Sequence, residues 1–310
     1  MPLDTAIARF LADSPAADAS LTLAQLRELT DSSLIWQQGE PVSHGYDQAF
    51  TLPAADGYPI PVRVYIPAGL ENCTQRPAMV FAHGGGWCLG SPAAWETPCR
   101  KLAEATGCVM FSVGYRLAPE HKFPLPLEDV YSALCGITQQ ADQLGLDPQR
   151  ISVGGDSAGG NLAAAVCLLA RDRAGPMIAH QLLLYPALDV TLDTPSSHTY
   201  GQGFGLTREV MHFCWQSYLR DDADATNPYA SPAAAVSLAG LPPATILVCE
   251  YDPLRDEGVH YAQRLEEREV EVRFAQLHGM IHGCMHMTGI THAAEGLFAQ
   301  CQLTRQPGQV

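Results

Sequence analysis

The sequence predicts an α/β protein, a mostly parallel central sheet with helices on both faces and a helical cap. Three observations point there. Short apolar runs recur at 79–82, 108–113, 151–154, 181–185, 245–249 and 270–274. Helical patterns separate several of them, at 125–144, 158–171 and 256–268. A stretch from about 187 to 240 then interrupts the alternation, and its length suits a lid better than a plain loop.

The elements follow in order. Residues 3–11 and 21–29 place apolar side chains at helical spacing, with a break at Ser14-Pro15. Residues 60–66, Ile-Pro-Val-Arg-Val-Tyr-Ile, alternate as an antiparallel strand would. The runs at 79–82 and 108–113 read as buried strands, ending at glycines and at Gly114-Tyr115-Arg116 respectively. The 187–240 stretch carries Pro195, Gly201, Gly203, Gly205, Pro228 and Pro232, with one helix expected near 207–219. The expected organisation is an N-terminal part of the cap at 1–45, a catalytic domain at 46–186 and 241–310, and a cap insertion at 187–240.

Bulk properties exclude several classes. The chain has 310 residues, 47% hydrophobic and 16% charged, enough for a sizeable core. Its net charge of −15 argues against nucleic acid or anionic membrane as a partner. No run reaches the roughly 18 apolar residues of a membrane span. Asp4 and Asp13 interrupt any leader-like start. The ten cysteines form no C-x-x-C pair, and several, such as Cys167 and Cys249, sit in apolar runs. Free buried thiols in a cytoplasmic protein are expected, with no integral membrane segment.

The candidate reactive residues each stand where a strand stops. In open α/β sheets reactive groups gather at those carboxyl ends. Gly155-Asp156-Ser157-Ala158-Gly159-Gly160 follows the strand at 151–154. This Gly-x-Ser-x-Gly turn projects a serine hydroxyl, and Gly155 and Gly159 leave room for the helix to fold back. His83-Gly84-Gly85-Gly86, Asp252-Pro253-Leu254-Arg255-Asp256 and His282-Gly283 also follow strands. The order Ser, then Asp, then His is the one α/β-hydrolases use.

These segments, with Trp87, Tyr115-Arg116-Leu117-Ala118-Pro119-Glu120-His121, Phe123-Pro124 and Asn161-Leu162-Ala163, carry a resemblance. From about residue 78 to 283 the chain resembles the hormone-sensitive lipase family of α/β-hydrolase carboxylesterases. The resemblance implies Ser157 as nucleophile, His282 as general base and then acid, and Asp252 as the group that fixes the imidazole. It implies oxyanion donors in the N–H groups of Gly84, Gly85, Gly86 and Ala158. No cofactor or metal is called for. The substrate would be a small, largely apolar ester with a short to medium acyl chain, hydrolysed through an acyl-enzyme. Activity should fall as acid charges the imidazole. Two other readings stay open: an amidase or deacetylase with the same triad, and a ligand-binding homologue without catalysis. A homodimer through the last strand of the sheet rests on family analogy alone.

Neighbouring residues have plainer readings. Asp256 suits the start of the next helix. His83 reads as a loop anchor and Asp156 as a brace. His278, His282 and His286 are spaced by four, but Gly279 and Gly283 disfavour the continuous helix that a shared metal would need. The family usually has an aromatic residue after His-Gly. This chain has Cys284, so a smaller pocket wall, or one filled by Met285, is expected. Within 207–219, helical phase puts Met211, Trp215 and Tyr218 near one face and Phe213 on another. With Tyr200 and Phe204, most of these are expected to pack against the sheet and a minority to line a pocket.

Overall fold

A computed structural model describes residues 1–14, 20–42 and 46–302. Pro15 of the expected break, and residues 303–310 of the expected C-terminal part, lie outside the described residues. In chain order the strands are β1 (Tyr46–Pro53), β2 (Pro59–Ile66), β3 (Arg76–Ala82), β4 (Val109–Val113), β5 (Leu146–Asp156), β6 (Gln181–Leu184), β7 (Ala244–Tyr251) and β8 (Val272–Ile281). The helices are α1 (Thr5–Asp13), α2 (Leu23–Gln37), α3 (Glu96–Thr106), α4 (Leu125–Gln139), α5 (Ala158–Asp172), α6 (Pro195–Thr199), α7 (Arg208–Tyr218), α8 (Arg255–Glu266) and α9 (Gly296–Gln300).

The strands form one sheet in the order β1-β2-β4-β3-β5-β6-β7-β8. The alternation read in 60–66 becomes alternating burial: Ile60, Val62 and Val64 are inside, with Pro61 exposed and Arg63 half-buried. That strand, β2, is antiparallel to both of its neighbours, β1 and β4. From β4 to β8 every pairing is parallel. Strands β3, β4, β6 and β7 are buried on both faces over most of their length, as continuous apolar runs require, whereas the outer strand β8 exposes Arg273, Phe274 and His278. Along β3, Ala78, Val80 and Ala82 join the core under α4 and α5, while Met79 and Phe81 join the core under α3 and α9. Burying one Leu, Val or Phe contributes about 1.5–3 kcal/mol, so the two sheet faces dominate the stability. Alanines 163–165 let α5 lie flat on the sheet, and all three are buried.

Four elements were not anticipated: β1, α3 and the short helices α6 and α9. Strand β1 shows little apolar alternation because it is an edge: Asp47, Gln48, Ala49 and Thr51 are exposed, and Leu52 is its fully buried anchor. Helix α3 buries Cys99, Leu102 and Ala103, which is helical spacing. Its Pro98 lies in the first turn, where a missing N–H costs nothing.

The N-terminal helices begin with caps worth about 1 kcal/mol each. The Asp4 carboxylate accepts the Ala6 and Ile7 N–H groups, and Thr22 and Gln25 form a capping box. Helix α2 then rests on the loops that leave β3 and β4. Arg27 donates to the Cys88 and Ala118 carbonyls and to Glu120, and Ser91 Oγ donates to Asp31 at 2.6 Å. Residues 187–240 carry α6 and α7 plus short 3₁₀ turns at Asp222–Thr226 and Pro232–Ala234. The phase of α7 is as expected: Met211, Trp215 and Tyr218 are buried, and Phe213 is 56% exposed. Tyr218 stacks on Trp87 at 4.4 Å, joining this segment to the glycine loop.

Candidate active site

Ser157 stands between β5 and α5 with φ 54° and ψ −119°, a conformation that costs a non-glycine residue energy. Its neighbours explain how the turn closes. A Cβ on Gly155 would lie 2.2 Å from the Gly159 carbonyl oxygen, and a Cβ on Gly159 would lie 1.9 Å from the Ala82 carbonyl oxygen. Only glycine permits that approach. The Ser157 N–H donates to the Leu184 carbonyl at 2.8 Å, and its carbonyl accepts the Ala187 N–H at 3.1 Å.

Asp252 follows β7 and His282 follows β8, directly before Gly283 at φ 77°. The three side chains meet. His282 Nδ1 is 2.8 Å from Asp252 Oδ2, and His282 Nε2 is 2.8 Å from Ser157 Oγ. A carboxylate only accepts, so the Nδ1–H donates to Asp252 and Nε2 is left to accept from the serine hydroxyl. The other Asp252 oxygen accepts the Leu254 N–H at 2.8 Å. Asp252 is fully buried, and Ser157 is 7% exposed.

The glycine loop lies beside this line. The Gly84 N–H donates to Asp156 Oδ1 at 2.9 Å, and the same oxygen accepts the Trp95 indole N–H at 2.8 Å. That bond removes Gly84 from the candidate oxyanion donors. The N–H groups of Gly85, Gly86 and Ala158 form no hydrogen bond among the described residues. Burial raises Asp156 to about 7, against the lowering effect of its donors. His83 is an anchor: its Nδ1–H donates to the Gly84 carbonyl at 2.8 Å, its ring stacks on Tyr115, and burial lowers it to about 4.

Other sequence candidates sit apart from this line. Asp256 lies in the first turn of α8 and accepts the Ser196 N–H at 2.8 Å. His278 projects from β8 beside Glu250, 3.3 Å away. His286 is buried 2.9 Å from the Gln38 amide, and burial lowers it to about 3. Among the described residues no cluster of three His, Cys, Asp or Glu could hold a metal. Cys284 is turned into the core, its Sγ 3.6 Å from Cys249 Sγ, and Met285 beside it is buried too. A cavity of about 280 Å³ opens beside Trp215, Leu219 and Arg220, but Ser157, Asp252 and His282 do not line it.

Two neighbours escaped the sequence reading. Tyr185 packs edge-on to the His282 ring at 4.9 Å. Cys214 closes over the loop, where a Cβ on Gly86 would lie 2.4 Å from its sulfur. Tyr185 directly follows β6, so the strand-end rule that located the other residues applies to it too. Cys214 had no such signal, because α7 approaches the loop only in the folded chain.

Residues 79–286 match a family model described as alpha/beta hydrolase fold. Carboxylic ester hydrolase LipN of Mycobacterium tuberculosis is 44% identical over 234 residues, covering 74% of this chain and 61% of that protein. An ethyl acetate hydrolase of Pseudomonas putida is 36% identical over 260 residues, covering 83% of this chain and 81% of that protein. Among solved structures, a hyperthermophilic esterase from the archaeon Pyrobaculum calidifontis superposes with a TM-score of 0.89 at 38% identity. That match covers 97% of this chain and 96% of the other. No described helix is long and apolar enough to cross a membrane.

Proposed function

We propose a reaction from the premise that this chain belongs to the α/β-hydrolase family, in its hormone-sensitive-lipase-like branch, and is a carboxylic-ester hydrolase. Ser157 attacks the ester carbonyl. A serine hydroxyl is a weak nucleophile until a base takes its proton, and His282 Nε2 at 2.8 Å is in reach to take it. Asp252 holds the tautomer and stabilises the imidazolium. His282 then returns the proton to the leaving alcohol, and water releases the acyl group by the same route.

The carbonyl oxygen becomes an oxyanion during attack. Gly85, Gly86 and Ala158 supply the N–H donors, since the Gly84 N–H is held by Asp156. Losing one such donor typically costs about 3 kcal/mol of barrier. No metal or cofactor is assigned a step. The N-terminal helices and residues 187–240 act as a two-part cap over the site. The substrate is a small, largely apolar ester with a short to medium acyl chain, and the ethyl acetate hydrolase relative supports the short end of that range.

The continuous line Asp252–His282–Ser157, with both contacts at 2.8 Å, carries this reading. The test is the rate on chromogenic esters of increasing acyl length, with Ser157→Ala as the blank. Turnover should vanish in a variant that stays folded. Undiminished turnover contradicts the assignment. Matched ester and amide substrates separate an esterase from an amidase.

A further inference from the structure

We propose that Tyr185 is a positioning residue for His282, its ring holding the imidazole in line with Ser157. The inference rests on the reading of Ser157 and His282 as nucleophile and base.

Four observations converge on this one residue. Its ring meets the His282 ring edge-on, centroids 4.9 Å apart and planes at 64°. Its backbone has φ 35°, a left-handed conformation that a bulky residue rarely adopts and that needs surrounding contacts to maintain. Its neighbours grip the nucleophile: the Leu184 carbonyl accepts the Ser157 N–H at 2.8 Å, and the Ala187 N–H donates to the Ser157 carbonyl at 3.1 Å. The Tyr185 N–H itself donates to the Leu247 carbonyl at 2.6 Å, on the strand that leads to Asp252. One turn of chain thus touches the supports of all three residues.

The chemistry follows from what the imidazole lacks. Nδ1 is held by Asp252, and Nε2 must stay free to exchange a proton. Hydrogen bonds at the two nitrogens leave the ring able to rock about the line joining them. A rigid aromatic ring packed at a steep angle to the imidazole restricts that motion without competing for the proton. The Tyr185 hydroxyl lies buried by the Met285 backbone and not against the imidazole nitrogens, which Asp252 and Ser157 occupy. The aromatic ring is therefore the working part, and phenylalanine is the conservative replacement.

The test compares Tyr185→Phe with Tyr185→Met, which fills space without a rigid face. Tyr185→Phe should keep kcat within about twofold of wild type. Tyr185→Met should lower kcat about 10- to 100-fold, the scale of small misplacements at a reacting centre, with KM within about twofold. A second readout needs no substrate: the downfield NMR resonance of the proton between His282 Nδ1 and Asp252. It should persist in Tyr185→Phe and broaden or vanish in Tyr185→Met. Wild-type kcat in Tyr185→Met overturns the proposal, and so does a tenfold loss in Tyr185→Phe. Should Tyr185→Met fail to fold, the phenylalanine variant decides by the same tenfold criterion. An absence of ester turnover in the wild type defeats the esterase reading instead. In that case the resonance alone judges Tyr185, and an unchanged signal in Tyr185→Met overturns its role.

Discussion

The two glycine turns at the site are held in different ways. In the 155–160 turn, backbone meets backbone: added Cβ atoms at Gly155 and Gly159 run into the carbonyls of Gly159 and Ala82. In the 84–86 loop, two of the three obstacles are side chains. Gly84 faces Asp156 and Gly86 faces Cys214, while Gly85 faces the Leu89 carbonyl. A backbone obstacle cannot move without moving its strand. A side-chain obstacle can. The Ser157 turn is thus fixed by the sheet itself, and the loop is fixed by a few replaceable groups.

The largest effect should come from breaking the backbone-locked turn. Gly159→Ala forces a Cβ to 1.9 Å from the Ala82 carbonyl oxygen, so β3, β5 or α5 must shift. We expect a loss of about 4 kcal/mol or more, read by denaturant unfolding, together with loss of activity. A stable, active Gly159→Ala would erase the distinction between the two turns.

The loop should yield more gently. Asp156→Ala leaves the Gly84 and Trp95 N–H groups without their acceptor. Each orphaned donor costs about 1–3 kcal/mol. The released loop should also lower kcat by about tenfold or more, while Asp156→Asn, which keeps an acceptor oxygen, should be milder in both. Equal losses in the two variants would show that the carboxylate does more than brace.

The smallest effect, taken per pH unit, is a slope. Burial raises Asp156 to about 7, above the roughly 3.9 of an unfolded chain. Below about pH 4 the group is protonated in both states, and its contribution to stability is complete. As pH climbs towards 7 the unfolded chain gives up the proton first. Wild type should therefore lose stability relative to Asp156→Asn across that window, by at most about 1.4 kcal/mol per pH unit. A difference curve that is flat or rises with pH contradicts the buried, proton-holding state.

The same contrast marks what the sequence revealed. Ser157, Asp252 and His282 were legible because each stands at the end of an apolar run, and the parallel sheet sends all such ends to one edge. The Gly-x-Ser-x-Gly turn was legible because backbone constraint leaves a glycine signature. Contacts made by side chains from distant elements leave no such mark. Gly84 was grouped with Gly85 and Gly86, since its bond to Asp156 joins residues that only the fold brings together. Edge strand β1 was missed because solvent-facing residues mask its alternation. Helix α3 was readable from Cys99, Leu102 and Ala103, whose spacing went unused.

The central claim is that one hydroxyl becomes a nucleophile through its contact with one imidazole. The most direct measurement is mass spectrometry of peptides after treatment with an activated alkyl phosphonate ester. The account predicts one adduct per chain, on Ser157, formed far more slowly in His282→Ala. An adduct on another residue, or labelling of Ser157 at the wild-type rate without His282, would contradict it.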